Sequence, residues 1–252
     1  LKMNSKNSNI VTITGCAGFI GSHVTDLYLS NGFNVYGIDK FTYAAKETNL
    51  TEARKNSKFI CARGDICDQS MMESILKVMP WVINFAAETH VDNSINSSDD
   101  FIKTNIRGVQ SILEACRKTG TKLLHISTDE VYGSIKKGHF TEQSALNPNS
   151  PYSSSKASAD MICRAFHATY DLPIIVTRCT NNYGPYQFPE KLIPLIINNV
   201  IRGVSIPVYG DGKNVRDWIH VDDHCRGIMK VIEKGQPGEI YNFGGIAEKT
   251  NI

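Results

Sequence analysis

The amino-acid sequence predicts an α/β fold in which helices cover both faces of a parallel β-sheet. Short apolar or β-branched runs alternate with longer stretches of helical period, as in chains that add one strand and one helix at a time. A glycine-rich turn follows the first of these runs and opens the first helical stretch. The alternation and the turn together predict a doubly wound parallel sheet of Rossmann type.

The apolar runs that we predict to be strands recur through the first part of the chain. They are IVTIT (10–14), FNVYGID (33–39), KFICA (58–62), WVINFAA (81–87), KLLHIS (122–127) and PIIVT (173–177). After Arg178 the alternation loosens, and proline and glycine become frequent. We therefore predict a Rossmann domain over residues 1–179, a smaller C-terminal lobe over residues 180–252, and a segment near 216–234 that returns to the first domain.

Composition and charge argue against several classes of partner. The 252 residues include 27 Lys and Arg against 25 Asp and Glu, a formal charge of +2, with no basic block longer than Lys136-Lys137. Nucleic acid is therefore not an expected partner. The apolar runs are far shorter than the roughly 18 residues of a membrane span, and the start, LKMNSKNSN, resembles no secretory signal. Seven cysteines without a CxxC pair predict a reducing, cytoplasmic location.

The segment TGCAGFIG joins the first predicted strand to an apolar-periodic helix. Glycine turns also occur without any ligand, but this is the position at which a helix N-terminus binds a pyrophosphate. The sequence therefore predicts a dinucleotide site formed by Gly15, Gly18, Phe19, Ile20 and Gly21.

The second predicted strand ends at Asp39, which lies 18 residues beyond Gly21. A carboxylate at this position can accept hydrogen bonds from both ribose hydroxyls, and it would repel a 2′-phosphate. We therefore predict that the cofactor is NAD rather than NADP. The adjacent cation, Lys40, weakens that discrimination.

Acidic residues stand side by side where the fifth predicted strand ends, in the segment STDEVYG (127–133). A solvated loop would explain them, and so would a functional site. The segment also fits the S-x-x-E capping box. However, Gly133 follows closely and the next residues have no helical period, so we expect no helix to be capped here.

The segment YSSSK places Tyr152 and Lys156 at i and i+4, on one face of a predicted helix. An ordinary surface pair at the start of a serine-rich helix would show the same spacing. A tyrosine with the usual pKa of about 10 is a poor base at neutral pH. A neighbouring cation and a positive nicotinamide ring would lower that pKa.

The motifs taken together resemble the extended short-chain dehydrogenase/reductase superfamily. Several segments narrow the resemblance to the dTDP-glucose 4,6-dehydratase family: STDEVYG, YSSSK, RCTNNYGPYQFPEKLIP (178–194), VYGDGKNVRDWIHVDDH (208–224), GEIYNFGG (238–245), NFAAETHVDNSI (84–95) and GDICD (64–68). The likeness extends from about Ile10 to the end of the chain. Because members of this family continue well beyond that point, the resemblance implies that the substrate lobe is truncated at Ile252.

The resemblance implies a reaction in which a sugar is oxidised at C4, loses water across C5 and C6, and is reduced at C6. By that resemblance Asp129 is the acid for water loss and Glu130 the base at C5. Tyr152 takes the proton of the C4 hydroxyl, while Lys156 lowers the pKa of Tyr152 and holds the nicotinamide ribose. Thr128 hydrogen-bonds the substrate. Since successive strand residues face opposite sides, the backbone must leave strand geometry at Asp129 for both carboxylates to reach one sugar.

The resemblance also implies further contacts with the cofactor and with a nucleoside diphosphate sugar. The expected cofactor residues, besides the glycine loop, Tyr152 and Lys156, are Asp39, Lys40, Asp65, Ile66, Ala86, Ala87 and Thr104. The expected substrate residues, besides Thr128, are Thr89, Asn181, Asn182, Lys191, Leu192, Pro207, Tyr209, Arg216 and Asn251. Either thymidine or uridine could be the nucleoside.

The histidines show no spacing that is typical of metal ligands, so no metal is expected. His220 and His224 lie at i and i+4 but flank Asp222-Asp223 at a predicted helix start, which favours a capping or surface role.

The same motifs also allow two other kinds of function, and two helical stretches predict a homodimer. An epimerase or decarboxylase would share the glycine loop, Tyr152 and Lys156, and a non-catalytic NAD-binding regulator would need only the cofactor site. Helical stretches at 99–117 and 152–170 carry apolar stripes and resemble helices that relatives pair between subunits, which predicts a homodimer. Alternatively, the stripes are used against the sheet. Their residues are Phe101, Ile112, Leu113, Met161, Ile162 and Phe166.

Overall fold

The structure, a computed structural model, describes residues 9–89, 91–135, 137–206, 208, 211–245 and 248–250. Its main sheet has seven parallel strands in the order β3-β2-β1-β4-β5-β6-β9. The strands are β1 (Ile10–Thr14), β2 (Asn34–Asp39), β3 (Phe59–Arg63), β4 (Trp81–Asn84), β5 (Lys122–Thr128), β6 (Ile174–Cys179) and β9 (Ile240–Phe243). This topology confirms the predicted α/β fold.

Helices connect the strands and cover the sheet. They are α1 (Phe19–Ser30), α2 (Gln69–Leu76), α3 (Val91–Asn96), α4 (Asp99–Phe101), α5 (Val109–Thr119), α6 (Pro151–Tyr170), α7 (Leu192–Arg202) and α8 (Val221–Lys234). A π-helical segment, Ile102–Gly108, joins α4 to α5, and short 3₁₀ helices occur at Glu47–Leu50, Ala53–Lys55 and Asp129–Tyr132. The α6 helix begins with a capping box between Ser150 and Ser153 and has a proline in its first turn.

Two apolar clusters form the core, one on each face of the main sheet. Residues of α1 and α8, such as Val24 and Ile228, pack with β1 on one face. Residues of α2, α5 and α6, such as Met72 and Ile112, form the other cluster. Because both faces are covered, apolar residues predominate on both faces of the central strands, which is why those strands appear as apolar runs in the sequence.

A row of buried polar side chains crosses the centre of the sheet. Thr14, Asn84 and His125 are register partners on β1, β4 and β5. The Thr14 hydroxyl donates to Asn84 Oδ1 over 2.6 Å, and Asn84 Nδ2 donates to His125 Nδ1 over 3.2 Å. A slip of one residue between these strands would leave all three groups without these partners in the core, so the row specifies the register.

All six predicted strands are present, and five of them match the observed bounds to within two residues. The strand predicted at 81–87 ends at Asn84. Residues 85–87 instead leave the sheet and line a cleft at its carboxyl edge.

A second sheet has three strands in the order β10-β8-β7, namely β7 (Asn181–Tyr183), β8 (Val215–His220) and β10 (Glu248–Thr250). Within the segment near 216–234, β8 belongs to this small sheet, whereas α8 packs in the core of the main sheet. The seventh strand of the main sheet, β9, was not among the strands predicted from the sequence. The division into two domains stays a prediction.

The apolar stripe predicted for subunit pairing is wrong for three of its residues. Phe101, Ile112 and Leu113 are buried within this single chain. Ile112 and Leu113 belong to the core cluster on one face of the sheet, as the alternative requires, whereas the Phe101 ring contacts Tyr152. On α6, Met161 is 51% exposed, and Ile162 and Phe166 are half-buried. Among the described residues, no helix combines the length and the apolar character that crossing a membrane demands.

Candidate active site

The glycine turn is held in a shape that side chains would disrupt. Gly15 has φ +69°, and a Cβ atom there would lie 2.7 Å from the backbone nitrogen of Ala86. A Cβ on Gly21 would lie 2.1 Å from the Gly15 carbonyl oxygen. Both glycines are therefore needed for close packing of the turn against the strand and the helix.

The same turn presents the N-terminus of α1 to the cleft. Gly18 precedes the helix, and the first turn carries no acidic residue. The positive end of the helix dipole and its unpaired N–H groups favour an anion at this point. The geometry fits the pyrophosphate of a dinucleotide.

Asp39 is fixed at the end of β2 by two backbone donors. The N–H of Ala17 donates to Oδ2 over 2.9 Å, and the N–H of Phe41 donates to Oδ1 over 2.7 Å. Burial raises the pKa of this carboxyl, and the two N–H groups oppose that shift by stabilising its charge. Each oxygen keeps a lone pair, so the cleft-lining carboxylate can still accept hydrogen bonds from a ribose.

Lys40 forms an ion pair with Asp65 over 2.9 Å. The pairing offsets the charge of this cation, which could otherwise favour a 2′-phosphate beside Asp39.

One cleft lies along the carboxyl edge of the main sheet. The residues that line it include both the predicted glycine loop and the predicted acid–base pair. Its lining includes every predicted cofactor residue: Gly15, Gly18, Phe19, Ile20, Gly21, Asp39, Lys40, Asp65, Ile66, Ala86, Ala87, Thr104, Tyr152 and Lys156. Thr128, Asp129 and Glu130 line the same cleft.

The backbone leaves strand geometry after Thr128. The 3₁₀ helix Asp129–Tyr132 begins there, and the N–H of Glu130 donates to the Thr128 hydroxyl over 3.3 Å. The expectation that no helix follows was wrong, because a single 3₁₀ turn needs no apolar period. Its cap is Thr128, one residue after the Ser127 of the S-x-x-E pattern. The turn lets neighbouring carboxylates face one cleft, as the two-carboxylate interpretation requires.

The two carboxylates have raised pKa values. Burial raises the pKa of Asp129 to about 6, with Asp217 adding to the shift, while hydrogen bonds with Thr180 and Thr128 oppose it. Glu130 is exposed within the cleft, yet desolvation by the cleft walls also raises its pKa, and the charge of Asp129 adds to this. Two carboxylates in one partly dry site disfavour simultaneous ionisation.

Tyr152 and Lys156 are buried on α6. Burial raises the pKa of Tyr152 well above its ordinary value, and the charge of Glu130 adds to this. Burial lowers the pKa of Lys156, whose Nζ donates to the carbonyl oxygen of Ile126 over 2.7 Å. The structure thus gives Tyr152 a shift opposite to the one expected from the sequence, because dehydration of the phenol is the largest influence.

Comparison with known proteins agrees with this geometry. The sequence model of the GDP-mannose 4,6 dehydratase family matches residues 12–252. A dTDP-glucose 4,6-dehydratase of an Actinoplanes species is 46% identical over 250 residues, covering 96% of this chain and 78% of the relative. The chain belongs to the dTDP-glucose 4,6-dehydratase family. The prediction made from the sequence motifs is confirmed.

Solved structures give the same result. A dTDP-glucose 4,6-dehydratase from Streptomyces venezuelae with NAD bound is 46% identical, with a TM-score of 0.94 over 96% of this chain and 77% of that one. A UDP-glucuronic acid 4-epimerase from Bacillus cereus, in complex with UDP-glucuronic acid and NAD, is 32% identical, with a TM-score of 0.91 over 96% of this chain and 79% of that one. The fold is therefore shared with epimerases, and the dehydratases are closer in sequence.

Only some of the substrate residues expected from the family resemblance line the same cleft. Thr89, Asn181, Asn182 and Lys191 line the cofactor cleft. Arg216 lines a second, adjoining cavity instead. Leu192 begins α7 and lines neither cavity. The remaining three, Pro207, Tyr209 and Asn251, lie outside the described residues.

Asp129 and Glu130, the predicted acid–base pair, lie where the two cavities meet. Both cavities are lined by Asp129, Glu130, Thr180 and Asn181. A molecule in the second cavity could therefore reach these carboxylates while a dinucleotide lies along the first.

Some lining residues were not among the predicted site residues. Thr180 influences the pKa of Asp129, and Gln187 and Phe188 line the cofactor cleft. All three fall within the family segment 178–194, which was the signal that could have identified them.

The two histidines near α8 have different roles. His220 caps the helix, since its Nδ1 accepts from the N–H of Asp222 over 3.3 Å, which confirms the capping role. A surface role is wrong for His224, which is buried and donates through Nδ1 to Asn182 Oδ1 over 2.8 Å. Across the described ranges, no three His, Cys, Asp or Glu side chains are grouped as metal ligands.

The raised pKa of Asp129 predicts a pH-dependent cost to stability. The pKa of Asp129 is about 6 in the folded protein and 3.8 for an ordinary aspartic acid, as in the unfolded chain, so stability falls as pH rises between these values and the loss persists above pH 6. Asp129→Asn removes this cost. The free energy of unfolding of the variant, relative to the unsubstituted protein, should increase by about 1 kcal/mol between about pH 5 and about pH 7.5. Urea unfolding at both pH values measures it, and a pH-independent difference would contradict the shift.

Proposed function

We propose that this chain catalyses the NAD-dependent conversion of dTDP-glucose to its 4-keto-6-deoxy product, the hydro-lyase reaction of its family. The observation that carries the proposal is the placement of Asp129 and Glu130 in one cleft with Tyr152 and Lys156. An oxidation site alone needs only the second pair. Loss of water across C5 and C6 also needs an acid and a base, which the first pair supplies.

NAD fits the cofactor cleft through this chain's own residues. The N-terminus of α1 would hold the pyrophosphate, and Asp39 would accept hydrogen bonds from the adenosine ribose. Lys156 would hold the nicotinamide ribose. When bound, NAD takes up a hydride from the sugar and gives it back within one turnover.

Tyr152 accepts the proton of the C4 hydroxyl in this proposal. Because burial raises the pKa of the phenol, it needs positive charge nearby to act as a base. Lys156, one helical turn away on α6, and the oxidised nicotinamide ring supply that charge. Thr128 hydrogen-bonds the sugar and thereby orients the hydroxyl towards Tyr152.

Water elimination divides between the two carboxylates. Oxidation at C4 acidifies the C5 proton, which Glu130 removes. Asp129 protonates the departing C6 hydroxyl, and its pKa of about 6 supports that role because it holds a proton more readily than an ordinary aspartic acid does. Lys191 and Arg216 favour the ionised form of Glu130, as a base requires.

Two alternatives use fewer of these residues. An epimerase or a decarboxylase would not need the pair at Asp129 and Glu130, and a regulator without turnover would not need Tyr152 or Lys156 either.

Thymidine is the nucleoside in the names of the curated relatives. Assaying UDP-glucose in parallel with dTDP-glucose tests whether a uridine nucleotide is also a substrate.

We also propose a cytoplasmic location, which the seven free cysteines support.

The fate of one hydrogen tests the function. Substrate deuterated at C4 and turned over in ordinary water should give product with deuterium in its new C6 methyl group, as measured by mass spectrometry and NMR. An epimerase or a decarboxylase would leave the label at C4, and a regulator would convert nothing. Either result, or an unlabelled methyl group, would overturn the dehydratase assignment.

The two half-reactions should separate in single-turnover experiments. Glu130→Gln removes the C5 base and should slow elimination by about a hundredfold or more while C4 oxidation continues, so reduced nicotinamide accumulates. Tyr152→Phe should block the first oxidation and give no such absorbance. A Glu130→Gln variant that binds substrate normally but shows no reduced nicotinamide would contradict this division of roles.

Asp39→Ala should weaken NAD binding by about tenfold to a hundredfold, since it removes charged hydrogen-bond acceptors. It should also relax discrimination against NADP, because the repulsive charge is lost. Calorimetric titration with both cofactors measures the effect, and their affinity ratio is the internal control for general loosening. An unchanged ratio would contradict the role of Asp39.

We also propose that the chain forms a homodimer. The supporting surface is the exposed part of the predicted helices, where Ile102 and Met161 are 52% and 51% exposed. Light scattering at micromolar concentration should give twice the mass of one chain, and Met161→Glu should reduce that mass by placing charge in the interface. A monomeric mass for the unsubstituted protein would contradict the dimer.

A further inference from the structure

The guanidinium of Arg178 is buried between two elements of the active site. Arg178 is 3% exposed. Its Nε donates to Asp160 Oδ2 over 2.8 Å, and its Nη1 donates to the hydroxyl oxygen of Tyr132 over 2.8 Å. A planar fork can make both bonds at once, which a lysine ammonium at the end of a flexible chain cannot match.

The two partners belong to the two halves of the proposed chemistry. Asp160 lies on α6, one helical turn beyond Lys156. Tyr132 ends the 3₁₀ helix that begins with Asp129 and Glu130. Arg178 thus connects the helix of the oxidation pair to the turn of the acid–base pair.

The main sheet holds this connection in place from both sides. Arg178 is the register partner of Ser127 on β5, directly before Thr128, and of Asn242 on β9. The Tyr132 hydroxyl in turn donates to Asn242 Oδ1 over 2.9 Å. The phenol oxygen is therefore fixed by one acceptor and one donor, both anchored on neighbouring strands.

We infer that Arg178, acting through Asp160 and Tyr132, is a positioning residue that sets the acid–base turn relative to Tyr152 and Lys156. This role presupposes the proposed dehydratase reaction, in which one bound sugar must meet both pairs in succession. Elimination is the more sensitive step, because Tyr132 belongs to the same four-residue turn as Asp129, whereas Tyr152 belongs to a helix of 20 residues. Misplacing a reacting group by about 1 Å can cost about a hundredfold in rate.

Tyr132→Phe is the first test, because it removes only the hydroxyl and keeps the ring that stacks on Phe140 with centroids 5.0 Å apart. In single turnovers of dTDP-glucose, elimination should slow by about tenfold to a hundredfold, and C4 oxidation should change by less than about threefold. Reduced nicotinamide should accumulate and KM should be unchanged. Equal slowing of both steps would indicate general loosening, and a raised KM would indicate direct substrate binding. Either result would overturn the inference.

Tyr28→Phe is the matched control. Tyr28 is also buried, but its hydroxyl has no hydrogen-bond partner within the described part of the chain, and it lies in the core away from the cleft. Its half-reaction rates should stay as in the unsubstituted protein, and a change like that of Tyr132→Phe would count against the inference. Arg178→Lys is the second variant: it keeps the charge beside Asp160 but loses the fork, so it should shift the two rates as Tyr132→Phe does.

Hydrogen–deuterium exchange gives a readout that does not require activity. The N–H of Gly133 donates to the carbonyl oxygen of Glu130 over 3.2 Å. In Tyr132→Phe and Arg178→Lys, amides of 129–133 should exchange faster, while those of the glycine turn at 15–21 should not. Unchanged exchange at 129–133 would overturn the inference. If the unsubstituted protein converts no dTDP-glucose, the proposed function fails, and the exchange comparison still decides whether Arg178 positions the turn.

Discussion

The buried row of Thr14, Asn84 and His125 fixes the register of three neighbouring strands, and the geometry of the site depends on that register. The glycine turn follows β1, the cofactor-lining residues 85–87 follow β4, and the acid–base turn follows β5. The loops that follow parallel strands all leave the sheet at its carboxyl edge. A fixed register therefore places these three loops along one cleft. The unsatisfied polar groups that a slip would create make the alternative registers costly.

Burial at that edge also sets the chemistry. The same removal of water raises the pKa values of Asp129 and Tyr152 and lowers that of Lys156. The carboxyl becomes a better acid catalyst near neutral pH, whereas the phenol becomes harder to ionise. In the proposed mechanism, one physical cause therefore favours the elimination step and leaves the oxidation step dependent on charge brought close to Tyr152.

Local patterns predicted most of the fold, because strands buried on both faces read as apolar runs and the glycine turn obeys strict steric rules. They missed β9, whose residues Ile240–Phe243 form a short segment far from the other strands in sequence. They also missed the 3₁₀ turn at Asp129, since so short an element has no period to detect. Predicted cofactor residues that follow strand ends, such as Asp65 and Ala86, line one cleft because parallel strands end at the same edge of the sheet. Interactions such as that of Arg178 with Tyr132 depend on tertiary contacts between residues 46 apart, which no local pattern encodes.

The late position of β9 in the chain affects when the main sheet can be completed during synthesis. Its partner β6 ends at Cys179, and pairing joins Arg178 to Asn242 only after the whole intervening segment has been made. Until β9 has been translated, β6 has no partner strand on its outer side in the main sheet. That edge presents unpaired backbone groups, which are a hazard for association with other chains. The strands β7 and β8 of the small sheet must therefore be translated before β9 can cover β6 and become the edge strand itself.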